Sequence, residues 1–220
     1  MLRGLFVTGT DTGVGKTVVS AALLHRFRAV PRLRYWKPVQ TGIEIDDDTA
    51  EVLRLSATPA DRVLTDGVRL PRPLSPHLSA RLAGSPISVA GLLDVASRQS
   101  GEDRWIVEGA GGVLVPLNEG ELMIDLMTVL GLPVVVVARS GLGTINHTLL
   151  TVEALRARAL FVAGVVMVGP ANPDNRIAIE THGRVTVVGE LSTLDPLTPA
   201  SLQAAAESLA RGGELGPFLS

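Results

Sequence analysis

The strongest chemical signal in the sequence is the glycine-rich segment 9–17, GTDTGVGKT. Its glycines allow the backbone to curl so that successive N–H groups point at phosphate oxygens, and the helix expected to follow adds the partial positive charge of its N-terminus. Lys16 can reach the β- and γ-phosphates of a nucleotide, and the Thr17 hydroxyl can ligate Mg²⁺. Five residues separate Gly9 from Gly15, one more than in the usual phosphate loop. The segment is therefore interpreted as a nucleotide-binding loop, with a flexible glycine-rich turn as the alternative.

Acidic residues that could complete a magnesium–nucleotide site follow later in the chain. Glu108 comes directly after an apolar run, residues 105–107, and precedes an expected glycine-rich turn at residues 109–112. Asp46, Asp47 and Asp48 supply a second group of carboxylates. Oxygen ligands of this kind suit Mg²⁺. The simpler interpretations are that Glu108 is a turn residue capping a helix and that the aspartates form a solvated loop or a helix N-cap.

Two further segments could contact anions. Lys37 opens the segment KPVQTG at the end of the second expected strand, where a second lysine beside the phosphate loop would neutralise charge during phosphoryl transfer. A surface charge is the alternative for a lone lysine. Segment 141–147, GLGTINH, is another glycine-rich junction between a strand and a helix, and therefore a second candidate anion cradle.

Apolar runs and helical periodicity place these residues on alternating strands and helices. Strands are predicted at residues 5–7, 34–39, 105–107, 134–138, 162–168 and 185–188, and helices at residues 16–27, 49–55, 88–97, 124–130, 148–157 and 201–209. Because the strand runs are continuously apolar rather than alternating, both faces of the sheet must be covered. The expected fold is α/β: a single P-loop NTPase-like domain, residues 1–220, with a mostly parallel central sheet flanked by helices.

The least regular part of the sequence is residues 56–88, which contain prolines at positions 59, 71, 73, 76 and 86. Such a stretch fits either a long surface excursion between strands or a loop beside a ligand site, since long loops in compact domains are often functional. Both interpretations stay open at this point.

Composition limits the classes of protein to which the chain can belong. Of the 220 residues, 46% are hydrophobic and 19% are charged, which is enough for a sizeable buried core. The net charge of −2 and the 3% of aromatic residues provide neither a basic surface nor a stacking platform, so we expect no nucleic-acid partner.

The chain has no cysteine, which fits a cytoplasmic location. The longest apolar run, near residues 130–138, is shorter than the ~18–20 residues that span a bilayer, so we expect no membrane partner.

Six segments of the chain together resemble the dethiobiotin synthetase family. They are VTGTDTGVGKT from Val7, KPVQTG from Lys37, the aspartates 46–48, SPHLSA from Ser75, VEGAGG from Val107 and LGTINH from Leu142. The resemblance implies ATP- and Mg²⁺-dependent ring closure of 7,8-diaminononanoate with CO₂. The diamine forms a carbamate, phosphorylation converts it to a carbamic–phosphoric anhydride, and the second amine closes the ureido ring and expels phosphate.

The same resemblance implies roles for individual residues. Lys37 and Lys16 would be catalytic, and Thr17, Asp48 and Glu108 would hold Mg²⁺. The implied nucleotide-binding residues are Gly13, Val14, Gly15, Lys16, Thr17, Val18, Asp48, Glu108, Gly109, Ala110, Gly111, Val168 and Gly169. The implied substrate-binding residues are Thr12, Lys37, Thr41, Gly143, Thr144, Ile145 and Asn146. Residues 143–146 would receive the substrate carboxylate from the partner subunit, which implies a homodimer with the substrate site at the subunit interface.

The chain departs from the family pattern at positions that bear on the nucleotide. Gly13 stands where some members have Glu, and Val168-Gly169 stands where many have an Asn-Asp pair whose Asn reads adenine. A valine side chain can neither donate a hydrogen bond to a purine nor accept one. We therefore expect a relaxed preference among ATP, CTP and GTP.

Two other functions are alternatives to the synthetase. A partition-type ATPase switch has a similar fold but carries an additional lysine early in the phosphate loop, and residues 10–13, TDTG, contain none. An ATP-dependent amidating enzyme would normally need a glutaminase domain with a cysteine nucleophile, and the chain has no cysteine. Both are therefore minor alternatives.

Overall fold

The computed structural model describes residues 2–210 and 213–219. Within them the strands are β1 Arg3–Gly9, β2 Leu33–Trp36, β3 Val39–Thr41, β4 Val63–Leu64, β5 Val68–Leu70, β6 Arg104–Gly112, β7 Val134–Arg139, β8 Val162–Val168 and β9 Val187–Leu191. The helices are α1 Lys16–Arg26, α2 Asp48–Ser56, α3 Pro76–Ala83, α4 Val89–Ser97, α5 Met123–Leu130, α6 Thr144–Ala157, α7 Pro173–Gly183 and α8 Pro199–Ala206. Short 3-10 turns occupy Ala60–Arg62 and Gly216–Phe218.

The strands form one large sheet and one small sheet. The large sheet has seven strands in the order β4–β2–β6–β1–β7–β8–β9, and the small sheet pairs β3 with β5. Adjacent strands in both sheets are parallel. The prediction of an α/β fold with a mostly parallel central sheet is thus confirmed.

Helices cover both faces of the large sheet. Helices α1, α2 and α8 pack on one face, and α4, α5, α6 and α7 pack on the other. The VVVVA run of β7 has no exposed surface at any of its residues, which explains why it is apolar throughout rather than alternating. None of the helices within residues 2–210 and 213–219 is both long and apolar enough to cross a bilayer.

The position of β1 determines where the phosphate loop leaves the sheet. β1 lies between β6 and β7, and Val7 pairs with both Glu108 and Val135. Because all three strands are parallel, their carboxyl ends meet at one edge of the sheet, where open α/β sheets bind ligands. The loop after β1 therefore begins beside the strand that carries Glu108.

Two strand predictions were wrong at the residues that matter for the site. The strand expected over residues 34–39 ends at Trp36, and the chain restarts as β3 in the small sheet. Pro38 explains the break, since it has no N–H to donate to a neighbouring strand. The turn expected at residues 109–112 is instead the continuation of β6 through Glu108 to Gly112, beside the last residues of β1.

The remaining differences concern helices that were not predicted and elements whose bounds differ. Helices α3 and α7 were not predicted, and only Ile179 and Gly183 are buried in α7. α6 begins four residues earlier than expected, at Thr144. The last strand and helix, β9 and α8, are also displaced from the expected bounds of 185–188 and 201–209.

Asp47 fixes the start of the helix that carries Asp48. Its carboxylate accepts hydrogen bonds from the backbone N–H groups of Thr49 and Ala50, at 3.0 and 3.2 Å, and forms an ion pair with Arg69 at 2.7 Å. Partial burial favours the neutral acid, but the N–H of Ala50, the amide of Gln40 and the charge of Arg69 together hold the pKa of Asp47 below its usual value. The interpretation of this aspartate as a helix N-cap is confirmed.

We expect Asp47→Ala to lower the free energy of unfolding by about 1–2 kcal/mol, because it removes the cap. Asp46→Ala is the matched control: Asp46 is exposed, and its replacement should change stability by less than about 0.5 kcal/mol. Since the folded-state pKa of Asp47 is depressed, its contribution is present above the unfolded pKa of about 3.9 and is lost as the pH falls through the folded value. Urea unfolding at several pH values measures both effects. Equal stability of the two variants would contradict the assignment.

Candidate active site

The phosphate loop connects β1 to α1 through two glycines in the left-handed region. Gly13 has φ 68° and Gly15 has φ 98°, conformations that favour glycine. Gly15 is the N-cap of α1, and no side chain caps that end of the helix. The first N–H groups of α1 therefore remain available to phosphate oxygens. The Val14 side chain points away from them into the core.

Lys16 is the first residue of α1, and its side chain extends back over the phosphate loop. Its amine donates to the Asp11 carbonyl at 2.9 Å. Burial lowers the pKa of Lys16 to about 8, while the negative charge of Glu108 acts in the opposite direction. The lysine is a mostly protonated ammonium at neutral pH, held within the loop that would surround phosphate groups.

Lys37, Asp48, Glu108 and Thr17 form one cluster at the carboxyl edge of the sheet. The Lys37 ammonium lies 2.6 Å from Glu108 Oε1 and also pairs with Asp48 Oδ2. The Thr17 hydroxyl lies 2.9 Å from Asp48 Oδ1 and 3.1 Å from Glu108 Oε1. Glu108 is completely buried and Lys37 nearly so. Burial alone would lower the pKa of Lys37, but the charges of Glu108 and Asp48 raise it above its usual value, so this lysine stays charged.

Four different elements bring these side chains together. Thr17 lies in the first turn of α1, and Asp48 is the first residue of α2. Glu108 lies inside β6, and Lys37 occupies the link between β2 and β3. The break at Pro38 thus places Lys37 where the two sheets separate, rather than within a ladder.

A cavity of about 940 Å³ opens over this cluster. Its lining includes residues 73–76 as well as the phosphate loop and the cluster. That part of the irregular segment 56–88 therefore lies beside the site, as one of its two interpretations anticipated. No histidine lines the cavity among the described residues.

The cavity contains most, but not all, of the residues expected at the site. Lining it are Thr12, Gly13, Gly15, Lys16, Thr17, Val18, Lys37, Thr41, Asp48, Glu108, Ala110 and Gly111. Outside its lining are Val14, Gly109, Val168, Gly169, Gly143, Thr144, Ile145 and Asn146. At Gly109, a Cβ would meet the Phe6 ring at 2.9 Å, so this position faces the core. A Cβ on Gly15 would lie 3.2 Å from the Val168 side chain, which places Val168 against the start of α1.

Two residues at the site were missed by the sequence analysis. The Tyr35 hydroxyl donates to Glu108 Oε2 at 3.0 Å. Burial, together with the charge of Glu108, raises the pKa of Tyr35 well above its usual value, so the hydroxyl stays protonated. Arg139 donates to the Thr12 carbonyl at 3.1 Å and pairs with Asp11 at 3.6 Å. The sequence held no signal for the Tyr35 contact, because only the pairing of β2 with β6 brings its hydroxyl to Glu108.

Comparison with known proteins gives a consistent assignment. A family model described as an AAA domain matches residues 3–201. The ATP-dependent dethiobiotin synthetase BioD of Paramagnetospirillum magneticum is 51% identical over 201 residues, covering 91% of this chain and 93% of that protein. The protein of the same name from Brucella melitensis biotype 2 is 46% identical, covering 97% and 96%. The chain belongs to the dethiobiotin synthetase family.

Two further similar proteins are a longer bifunctional relative and a solved structure of low sequence identity. The biotin biosynthesis bifunctional protein BioCD of Bordetella avium is 50% identical to this dethiobiotin synthetase family member over 88% of the chain, a match that covers 40% of that protein. The solved structure of the septum site-determining protein MinD with Mg-ADP from Pyrococcus horikoshii has a TM-score of 0.62 and 14% identity. The match covers 100% of this chain and 99% of that chain. At this identity the likeness shows the fold alone.

Because Lys37 is buried against Glu108, its removal should lower the stability of this family member. We expect Lys37→Ala to lower the free energy of unfolding by about 3–5 kcal/mol, because it leaves the Glu108 carboxylate buried without its cation. Adding Glu108→Gln should recover most of that loss, since a neutral amide does not need the cation. Urea unfolding of the single and double variants measures the coupling.

Arg54→Ala is the control for these variants, because it removes an exposed ion pair with Glu51 and should cost less than about 1 kcal/mol. Losses from Lys37→Ala and Glu108→Gln that simply add in the double variant would contradict the coupling.

Proposed function

We propose that this chain catalyses the ATP-dependent ring closure of 7,8-diaminononanoate with CO₂ to give dethiobiotin, ADP and phosphate. The observation that carries the proposal is the cluster in which Lys37 joins Asp48 and Glu108 beside the phosphate loop. Family membership supports the same reaction, as do relatives at 45–51% identity that are named ATP-dependent dethiobiotin synthetases. The alternative of a partition-type ATPase switch is not favoured by those relatives.

The reaction needs positioning and charge neutralisation rather than a side-chain nucleophile. One substrate amine attacks CO₂, and a carbamate oxygen then attacks the γ-phosphorus of ATP, with ADP as the leaving group. The second amine attacks the carbamoyl carbon, and the C–O bond to phosphate breaks. Lys37 is the charged group suited to hold the carbamate oxygens in the cavity, and Lys16 is suited to neutralise the transferring phosphoryl group.

We propose Thr17, Asp48 and Glu108 as the magnesium ligands. The Thr17 hydroxyl lies within hydrogen-bond distance of both carboxylates, and oxygen donors of this kind fit Mg²⁺. Among the described residues, no group of three or more His, Cys, Asp or Glu side chains is arranged to hold a metal, so phosphate oxygens and water must complete the coordination. When bound, Mg²⁺ would neutralise charge on the phosphates.

We further propose a homodimer in which residues 143–146 of one subunit contact the substrate of the other. Two observations support this proposal. These residues do not line the cavity of their own chain, and Asn146 is exposed, as are Leu142, just before α6, and Leu150, which is 56% exposed. Asn146 and Leu150 share a face of α6 because they are four residues apart. An apolar surface with a polar centre is suited to an interface.

Two broader features complete the proposal. We propose that residues 1–220 act as one domain, which the family match over residues 3–201 supports. We also propose a cytoplasmic location, which the absence of cysteine supports.

The proposed reaction predicts that phosphate release from Mg·ATP and bicarbonate depends on 7,8-diaminononanoate. Lys16→Ala should lower the rate by about 10²–10³-fold, because it removes a charge that stabilises the transferring phosphoryl group. The assay measures phosphate and product together. Hydrolysis at the same rate with and without the diamine would overturn the proposal and favour the ATPase switch.

A second prediction concerns the nucleotide base. Val168 packs against the start of α1, and its side chain has no group that could hydrogen-bond to adenine. We expect CTP and GTP to support turnover within about tenfold of ATP, since a single base-reading hydrogen bond is worth about 1 kcal/mol. Phosphate release with each nucleotide in turn measures this preference, and turnover with ATP far more than tenfold faster than with CTP and GTP would contradict the expectation.

The dimer proposal predicts complementation between two inactive variants, Lys16→Ala and Asn146→Ala. In a heterodimer of the two, one site combines an intact Lys16 with an intact Asn146. If subunits exchange randomly, an equimolar mixture should recover about a quarter of wild-type activity. No recovery after demonstrated subunit exchange would contradict a substrate site shared between subunits.

A further inference from the structure

Tyr35 is a buried polar residue beneath the active site, and the proposed reaction assigns it no role. Its side chain has no exposed surface and packs in the core cluster on the face of the sheet that α1, α2 and α8 cover. Its hydroxyl donates to Glu108 Oε2 at 3.0 Å. This is the chain's only tyrosine.

The two oxygens of Glu108 have different partners. Oε1 is 2.6 Å from the Lys37 ammonium and 3.1 Å from the Thr17 hydroxyl, whereas Oε2 accepts from Tyr35. The terminal torsion of a glutamate is broad, so the carboxylate plane is not fixed by its own rotamer preference. A hydrogen bond to Oε2 fixes that plane and directs Oε1 toward Lys37 and Thr17.

The sheet register holds the donor itself in place. Tyr35 pairs with Ile106 on β6, two residues before Glu108. Residues two apart on a strand share a face, so Tyr35 and Glu108 project from neighbouring strands to the same side of the sheet. The Tyr35 ring is rigid and lies on a paired strand, so its hydroxyl cannot follow a rotating carboxylate. The hydroxyl therefore holds the Glu108 carboxylate in one orientation.

We propose that Tyr35 is a positioning residue that orients the Glu108 carboxylate for its proposed contact with the metal–nucleotide complex. The proposal rests on the proposed function only in taking Glu108 as a magnesium ligand. Hydrogen-bond partners behind a metal ligand typically affect metal affinity by about 10–100-fold. Tyr35→Phe removes the hydroxyl and keeps the ring, so it isolates this effect from packing.

The first test compares the magnesium dependence of Tyr35→Phe with that of the wild type. We expect the Mg²⁺ concentration for half-maximal turnover to rise by about 10-fold or more, with kcat at saturating Mg²⁺ less affected. Mn²⁺ binding to the complex with a non-hydrolysable ATP analogue, followed by electron paramagnetic resonance, should weaken by a similar factor. An unchanged metal requirement in both measurements overturns the proposal.

Leu202→Ala is the control for a purely structural effect. Leu202 is fully buried in the same core cluster as Tyr35, but it lies on α8, and its truncation should lower stability without changing the magnesium requirement. An equal shift of the magnesium requirement in Leu202→Ala would show that lost stability alone causes it, and would overturn the proposal.

A spectroscopic test needs no variant at position 35. Because the chain has one tyrosine, 3-fluorotyrosine gives a single ¹⁹F resonance at Tyr35. We expect this resonance to shift when Mg²⁺ joins the nucleotide-analogue complex, and not when nucleotide is added with a chelator. No magnesium-dependent shift overturns the proposal. Since neither binding test contains the diamine, failure of the proposed ring closure is distinguished from failure of this inference.

Discussion

The buried carboxylate of Glu108 is the constraint on which the rest of the site depends. A glutamate without exposed surface is costly to bury unless its charge is paired and its oxygens are hydrogen-bonded. Here Tyr35 and Lys37, at the end of β2, and Thr17, at the start of α1, meet that requirement. The contacts that offset the cost of burying the carboxylate also orient it at the edge of the cavity.

This requirement explains local features that are otherwise irregular. β2 ends at Trp36, and Pro38 prevents the strand from continuing, so Lys37 turns toward Glu108 and Asp48 instead of entering a ladder. Asp47 caps α2, which places Asp48 at the first helical position facing Thr17. The strand break at Pro38 and the helix cap at Asp47 thus position Lys37 and Asp48 beside Glu108.

The sequence predicted the α/β class, the phosphate loop and the acidic residues at the site. The fold class and the phosphate-loop family are confirmed, because continuous apolar runs such as residues 134–138 and the glycine–lysine–threonine junction are each compatible with few local structures. The roles of the acidic residues stay predictions. The break at Pro38 and the continuation of β6 past Glu108 were not predicted, because strand pairing with β5 and β1 decides them and pairing is not visible in a single run of residues.

Contacts between segments that are distant in the chain could not be predicted from the sequence either. Tyr35 resembles any core aromatic until β2 is seen beside β6, and the polar helix α7 carries almost no apolar pattern. Residues 143–146 match a family motif, yet they lie outside the cavity of their own chain, which is why their role is proposed through a second subunit.

The most direct test of the account is to follow the carbon that becomes the ring. The protein would be supplied with Mg·ATP, 7,8-diaminononanoate and ¹³C-labelled bicarbonate, and the product examined by ¹³C NMR alongside phosphate release. We expect labelled ureido carbon in the product, with one phosphate released for each ring formed. Phosphate release without labelled ring product would contradict it.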